Sequence, residues 1–350
     1  MKGPTVLTIK LTETETTLVR ELVEELCERH ESVESPEFQR EGKTYAQELP
    51  RRLRAELNGF TAAERHGACV ISGLPVDDAE IGPTPAHWKD KPVPSPTLRH
   101  DIAFYLMASL LGEPIGWATQ QDGYLMHDIL PIKGHEHEQI GSGSQEVLTW
   151  HTEDAFHPLR TDYLGLACMR NHDAIATTVA DVADVRLDEA TAEVLRQERF
   201  RILPDHSHRA ENAHVPAEAG GLDHKAATLM RSSREIVEEE LRSPTAVAVL
   251  FGDPDDPYIR IDPHFMRGVQ GSAEQEALDE VTRALDAALT EIILRPGDIC
   301  FIDNYRMVHG RNAFTPRFDG TDRWLRRLNV ARDLRRSRGR RLTAQSRTIY

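Results

Sequence analysis

From about residue 115 the chain becomes a succession of short β-like runs, each closed by glycine, proline or aspartate. The first are "GWATQQDG", "EVLTWHTE", "YLGLACMRN" and "IATTVADV". Later come "TAVAVLFGD", "YIRIDPHF", "DICFIDNYRMVHG" and "RWLRRLNVARD". Many short strands punctuated in this way point to a sandwich or a jelly roll. Two helical inserts interrupt the pattern, over residues 188–198 and 274–291. In the second, Ala277, Leu278, Val281, Leu285 and Leu289 fall on one side.

The first third has a different texture. Residues 12–30 read as a helix, with Thr12 and Glu15 placed for a capping box and Leu18, Val19, Leu22, Val23 and Leu26 in one stripe. A second helix is expected over 44–58. The run "GACVISGLPV" suits a buried strand. Residues 82–97 carry Pro83, Pro85, Pro92, Pro94 and Pro96 and read as an irregular connection. The stretch "LRHDIAFYLMASLLG" is an apolar helix stopped by Gly112. No internal repeat or linker is visible. The expectation is one domain over 1–350: a mostly helical part over 1–112, a mainly β core with α inserts over 113–335, and a basic tail over 336–350.

The chain has 350 residues and 39% hydrophobic content, enough for one large core. Charged residues of both signs make up 28%, which argues against global disorder. The net charge of -15 disfavours general binding to DNA or anionic membrane. The run "RDLRRSRGRRLTAQSR" is basic but has no interleaved aromatics, so it reads as a solvated tail. Four scattered cysteines form no C-x-x-C pair and no disulfide framework. The N-terminus has no apolar leader-like core, and no stretch is long enough to span a bilayer. A reduced, cytoplasmic protein is expected, with no nucleic-acid or membrane partner.

The segment "WHTEDAFH" poses the functional question. In a strand, residues two apart share a face, so His151 and Glu153 would converge while Thr152 faces away. Asp154 and His157 then fall at the solvated end. The best third ligand is His309, at the end of the apolar run "FIDNYRMVHGR". Two histidines and a carboxylate on one side of a metal, with three open positions, fit non-haem Fe(II). An H-x-E pair alone arises by chance. A second spacing raises its value: Arg323, fourteen residues after His309, opens the run "RWLRRLNV" and could pair bidentately with a carboxylate of 2-oxoglutarate.

These segments resemble the Fe(II)/2-oxoglutarate-dependent oxygenases of the clavaminate synthase-like group, and within it the β-hydroxylases of free arginine and related amino acids in peptide-antibiotic pathways. The likeness is carried by "GWATQQDG", "LPIKGHEHEQIGSGS", "WHTEDAFHPLRTDYLGL", "FIDNYRMVHGR" and "FTPRFDGTDRWLRRLN", and extends to "LPRRLR" and "GLPVDD". The wider superfamily usually has H-x-D; this subgroup has H-x-E, as here. The resemblance implies a distorted double-stranded β-helix, or jelly roll, flanked by helices. It implies Fe(II) on His151, Glu153 and His309, with 2-oxoglutarate and O2 as cosubstrates.

Further roles follow from the same resemblance. Arg323 and Thr177 would hold the far carboxylate of 2-oxoglutarate. Arg327 shares a strand face with Arg323 and would hold the substrate α-carboxylate. Gln120 and Glu153 would meet the α-amino group. Asp205, in "LPDHSHR", would close over the substrate from a lid near 203–225. The compared arginine hydroxylases have two aspartates two residues apart at the far end of the substrate. This chain has Asp262 but His264 in the second place. One carboxylate and an imidazole satisfy fewer of the five guanidinium donors. The departure weakens the case for L-arginine and suits a cyclised guanidine such as enduracididine. Ser142 and Ser144 match only loosely. His135, His137, His157, His206 and His208 are read as bystanders to the metal. The implied reaction is β-carbon (C3) hydroxylation of a free guanidino amino acid, with C4 attack or desaturation as alternatives. A jelly-roll metal-binding protein and a zinc hydrolase are the readings from other classes. The implied partner is a small amino acid, and a homodimer is left open.

Overall fold

Strand Tyr163–Arg170 is buried along its whole length because both of its faces are covered. Tyr163, Ala167 and Met169 join a core with the N-terminal helices. Leu164, Leu166 and Cys168 alternate with them and join a second core with Val179, Met307 and Leu325. This period-two division of one strand between two cores sets the architecture. The computed structural model of the protein describes residues 5–208 and 223–350. Among them lie an eight-stranded mixed sheet and a four-stranded sheet, with helices packed outside the larger one.

In the large sheet Tyr163–Arg170 pairs with Ile299–Asp303 on one side and with Trp324–Ala331 on the other, both antiparallel. The small sheet runs Thr290–Ile292, Thr177–Asp181, Met307–Arg311, Leu148–His151. A third core packs the inserts Glu189–Leu195 and Ser272–Ala288 against Trp150, Ala180 and Val308. Among the described residues no helix is long and apolar enough to cross a membrane.

The first helix is Glu13–Arg29, with Thr12 and Glu15 forming the expected capping box. The expected helix over 44–58 is instead two helices, Pro36–Ala46 and Arg51–Ala63. Pro50 lacks an N–H and disfavours helix at the residue before it, so it divides the segment. Ser35 caps the earlier helix, with proline at its first turn.

The 1–112 part carries helices and two strands. Its strands Val6–Lys10 and Ala68–Ser72 extend the large sheet. The basic tail does not hang free, although much of its surface is exposed. Strand Thr348–Ile349 pairs with Glu113–Trp117, and buried Arg341 donates to the carbonyls of Leu334, Ala344 and Ser346. The arginines at this end tie down their own loop, which composition does not reveal. Helix Asp223–Arg242 follows the expected lid, whose residues 209–222 lie outside the described residues.

Candidate active site

Strand Leu148–His151 ends at the first proposed ligand, so His151 and Glu153 do not converge by strand alternation. Glu153 lies in the turn that follows, and Asp154 there has a φ of +50°. What brings Glu153 round is Asn304, wholly buried. Its Oδ1 accepts from the Glu153 N–H at 2.6 Å, and its Nδ2 donates to the carbonyls of Glu153 and Thr161. Thr152 points away, as expected, and bonds the backbone of Ile261.

His309 enters from Met307–Arg311, paired directly opposite His151. The Glu153 Oε2 lies 3.3 Å from His309 Nε2 and 3.9 Å from His151 Nε2. The three donor atoms lie within 4.8 Å of one another. His151 donates Nδ1–H to the Thr149 carbonyl at 2.8 Å, which leaves its Nε2 lone pair facing the other two ligands. Burial opposes ionisation of Glu153, but Arg327 and the two histidines hold its carboxyl well below the usual range. Two imidazoles and an ionised carboxylate converging within 4.8 Å are a donor set that suits a divalent iron, so the residues fit the metal.

Around this centre one cavity is lined by Thr177, Arg323, Arg327, Asp205, Asp262 and His264. Arg323 donates Nη2 to the Thr177 hydroxyl at 3.3 Å, and its buried Nε has no partner among the described residues. Burial brings its guanidinium down to about 10. A buried cation without a counter-charge is costly and suits an anionic ligand. Arg327 donates to Glu153 Oε1 at 2.6 Å, to Gln120 Oε1 at 2.9 Å and to His127 Nδ1 at 2.7 Å. Thus Glu153 offers one oxygen to the metal side and the other to Arg327.

At the remaining wall, Asp262 Oδ1 accepts the backbone N–H groups of His264 and Phe265, both at 3.1 Å. Burial pushes its carboxyl up to about 6. The His264 ring packs edge-on to Phe265 at 4.8 Å. Asp205 faces the same cavity and accepts from Ser207 N–H at 2.7 Å. The structure therefore gathers His151, Glu153, His309, Thr177, Arg323, Arg327, Asp205, Asp262 and His264 around one space. Gln120 reaches it through Arg327.

Asp154 is not at a solvated end. It is buried, accepting from Trp117 Nε1 at 2.6 Å and His208 Nε2 at 2.8 Å. His208 stands outside the triad and also contacts Thr119 and Gln120. Asp154, Asp205 and His208 also cluster closely enough to suggest a metal. Their ligand atoms are knitted by hydrogen bonds instead. His157 is half-buried, and burial draws its imidazole down to about 3.

Three functional supports were not anticipated. Asn304 left only a polar letter after an apolar strand, and His127 sits in "YLMHDIL" with no pattern at all. Arg311, two residues after His309, lines the cavity and donates to the carbonyls of Gly143 and Glu146, which ties down the loop before strand Leu148–His151.

A triad of two histidines and a carboxylate lining a pocket with two arginines defines a mononuclear non-haem iron oxygenase class. The chain belongs to the Taurine catabolism dioxygenase TauD, TfdA family, which it matches over residues 31–329. It is 58% identical over 344 residues to the enduracididine beta-hydroxylase of Streptomyces hygroscopicus, covering 98% of this chain and 100% of that one. It is 42% identical to the L-ornithine/L-arginine 3-hydroxylase of Catenulispora acidiphila, covering 98% and 99%. The crystal structure of the non-heme iron oxygenase OrfP with Fe, succinate and (3S)-hydroxy-L-Arg superposes with a TM-score of 0.89 at 40% identity, covering 98% and 99%. OrfP has also been crystallised with Fe and alpha-ketoglutaric acid, and the triad here is a group that could hold such a metal.

Proposed function

We propose that this protein is an Fe(II)/2-oxoglutarate-dependent hydroxylase of the β-carbon of a free guanidino amino acid. The carrying observation is the arrangement of charge in one cavity. Arg323, a cation short of a partner among the described residues, lines the cavity with the ligand triad. Arg327, held by Glu153 and Gln120, lines it too, and the buried carboxyl of Asp262 faces the same space. That arrangement matches a dicarboxylate, a metal, an amino-acid head and a cationic tail. Storage and zinc-hydrolase readings give Arg323, Arg327 and Gln120 no task.

His151, Glu153 and His309 would hold Fe(II), which when bound supplies the oxidising power for C–H hydroxylation with O2 and 2-oxoglutarate. Arg323 and Thr177 bind the far carboxylate of 2-oxoglutarate. Arg327 holds the substrate α-carboxylate, while Glu153 and Gln120 accept from the α-ammonium. Asp262 pairs with the guanidinium. Asp205, which lines the same cavity, is the residue that would close over the substrate. Together these contacts fix which carbon faces the metal, and position decides between C3 and C4. The two sheets are read as the halves of a distorted double-stranded β-helix. The four free cysteines support a reducing cytoplasm as its location.

A second reading has a specific observation in its favour. His264 stands where a second aspartate would grip a linear guanidinium, and the enduracididine beta-hydroxylase is 58% identical. This favours the cyclic guanidine enduracididine over L-arginine. The test is anaerobic reconstitution with Fe(II), then O2 and 2-oxoglutarate with a panel of arginine, homoarginine, canavanine, enduracididine, capreomycidine and lysine. Succinate and a product heavier by one oxygen are expected with a guanidino member. No stimulation of 2-oxoglutarate turnover by any member would sink the proposal.

A further inference from the structure

Arg327 is held by acceptors from three separate parts of the chain, and one of them has no role in the chemistry above. Its Nη2 donates to Gln120 Oε1 at 2.9 Å and lies 2.7 Å from His127 Nδ1. A guanidinium can only donate, so this imidazole nitrogen must carry a lone pair. The other ring nitrogen explains why it does. Nε2 of His127 lies 2.9 Å from the Tyr124 carbonyl oxygen, which can only accept. That contact fixes the Nε2–H tautomer and turns Nδ1 toward Arg327.

The geometry is built in from the backbone. His127 lies directly across from Arg327 in the pairing of His127–Ile129 with Trp324–Ala331. The ring is 2% exposed. The Tyr124 carbonyl packs so closely on Gly116 that a Cβ there would lie 2.5 Å from its oxygen. Burial and the neighbouring Arg327 hold the imidazole neutral.

We infer that His127 is a positioning residue for the substrate: its Nδ1 sets the guanidinium plane of Arg327, and through it the place of the α-carboxylate relative to the metal. This rests on Arg327 being the carboxylate-binding residue. With His127 and Gln120 both on Nη2 and Glu153 on Nη1, the guanidinium is oriented before the amino acid arrives. Pre-orientation of this kind lowers the ordering cost of binding and keeps one carbon in line with the metal.

Two substitutions separate this role from mere packing. His127→Asn puts an amide oxygen near the Nδ1 position and forgoes the Tyr124 contact. His127→Gln puts its amide nitrogen near Nε2, keeping the Tyr124 contact, and loses the acceptor facing Arg327. Both are assayed with the best amino acid of the panel above. The readouts are KM for the amino acid, KM for 2-oxoglutarate, hydroxylated product per succinate, and the charge-transfer absorption of the anaerobic Fe(II)–2-oxoglutarate complex. Loss of a hydrogen bond to a charged group is expected to raise the amino-acid KM of His127→Gln roughly tenfold. Product per succinate should fall with it. His127→Asn should stay closer to the parent, with the 2-oxoglutarate KM and the absorption unchanged in both. A worse defect in His127→Asn than in His127→Gln would overturn the inference, because the Tyr124 contact would then be what matters. So would unchanged kinetics in both, or loss of the absorption in both. Arg327→Lys runs alongside: if the amino-acid KM does not change there, it is the reading of Arg327 that fails.

Discussion

Arg323 and Arg326 lie three positions apart beside and within one strand, both buried, and their surroundings are opposite. Arg326 faces helix Leu98–Leu111. Its Nε and Nη2 donate to the two oxygens of Asp101 at 2.8 and 3.2 Å, and its Nη1 donates to Asp128. Asp128 is shared with Trp324 Nε1 at 2.8 Å. Burial works against its charge, but the two aspartates raise its pKa above the ordinary arginine value. Arg323 faces the cavity with one hydroxyl partner and an unmet Nε. The difference teaches how to tell a scaffold arginine from a ligand-binding one. Asp101 and Asp128 complete Arg326, which belongs to the fold. Arg323 has no such carboxylate among the described residues, and the cavity it faces has room for an anion from outside.

His309→Ala would strip the cavity side of its chemistry and leave the scaffold side intact. Turnover should fall to background while the unfolding midpoint barely moves, as activity assays and denaturant titration would show. A large loss of stability would merge the two sides. Arg326→Leu is the converse. It strands two buried carboxylates and should cost on the order of 3–5 kcal/mol of stability, read by urea unfolding. A change below about 1 kcal/mol would undo the scaffold assignment. Arg323→Leu should leave stability the same or higher, because among the described residues no carboxylate loses a partner. Its 2-oxoglutarate KM should rise by roughly 30-fold or more, about 2 kcal/mol. An unchanged 2-oxoglutarate dependence would remove its role. Thr177→Val deletes the lone hydroxyl partner and should raise the same KM less than about tenfold. The smallest effect is at the far wall, where His264→Asp should shift preference toward linear L-arginine by several-fold, about 1 kcal/mol, in competition assays. A preference that does not move would assign cation recognition elsewhere.

The cavity side of the strand was legible in the sequence because its signal is periodic. Residues i and i+4 of a strand share a face, and Arg323, Leu325 and Arg327 do line the cavity. The alternate set, Trp324, Arg326 and Leu328, is buried on the helix side. His151 and His309 were legible for a similar reason, each at the end of an apolar run. The convergence of Glu153 was expected for the wrong reason: the strand stops at His151, and an amide from residue 304 completes the turn. Asn304, His127 and the Asp154–His208 pair act through hydrogen bonds between residues 54 to 200 positions apart. Such contacts leave no period and no composition bias. The docked C-terminal strand and the division at Pro50 were missed differently. One depends on tertiary pairing that overrides a basic composition, and the other on a single residue inside an otherwise helical pattern.

The amide of Asn304 also sets an order in time. Glu153 emerges from the ribosome about 150 residues before the side chain that bends its backbone into place, and His309 follows five residues after that. A half-made chain therefore has one imidazole and an unconstrained carboxylate, too poor a set to retain iron. Iron held by these three residues would have to wait until synthesis has passed residue 309, by which point the four-stranded sheet is all but made. An oxygen-activating centre assembled so late spends little time exposed on an unfinished protein.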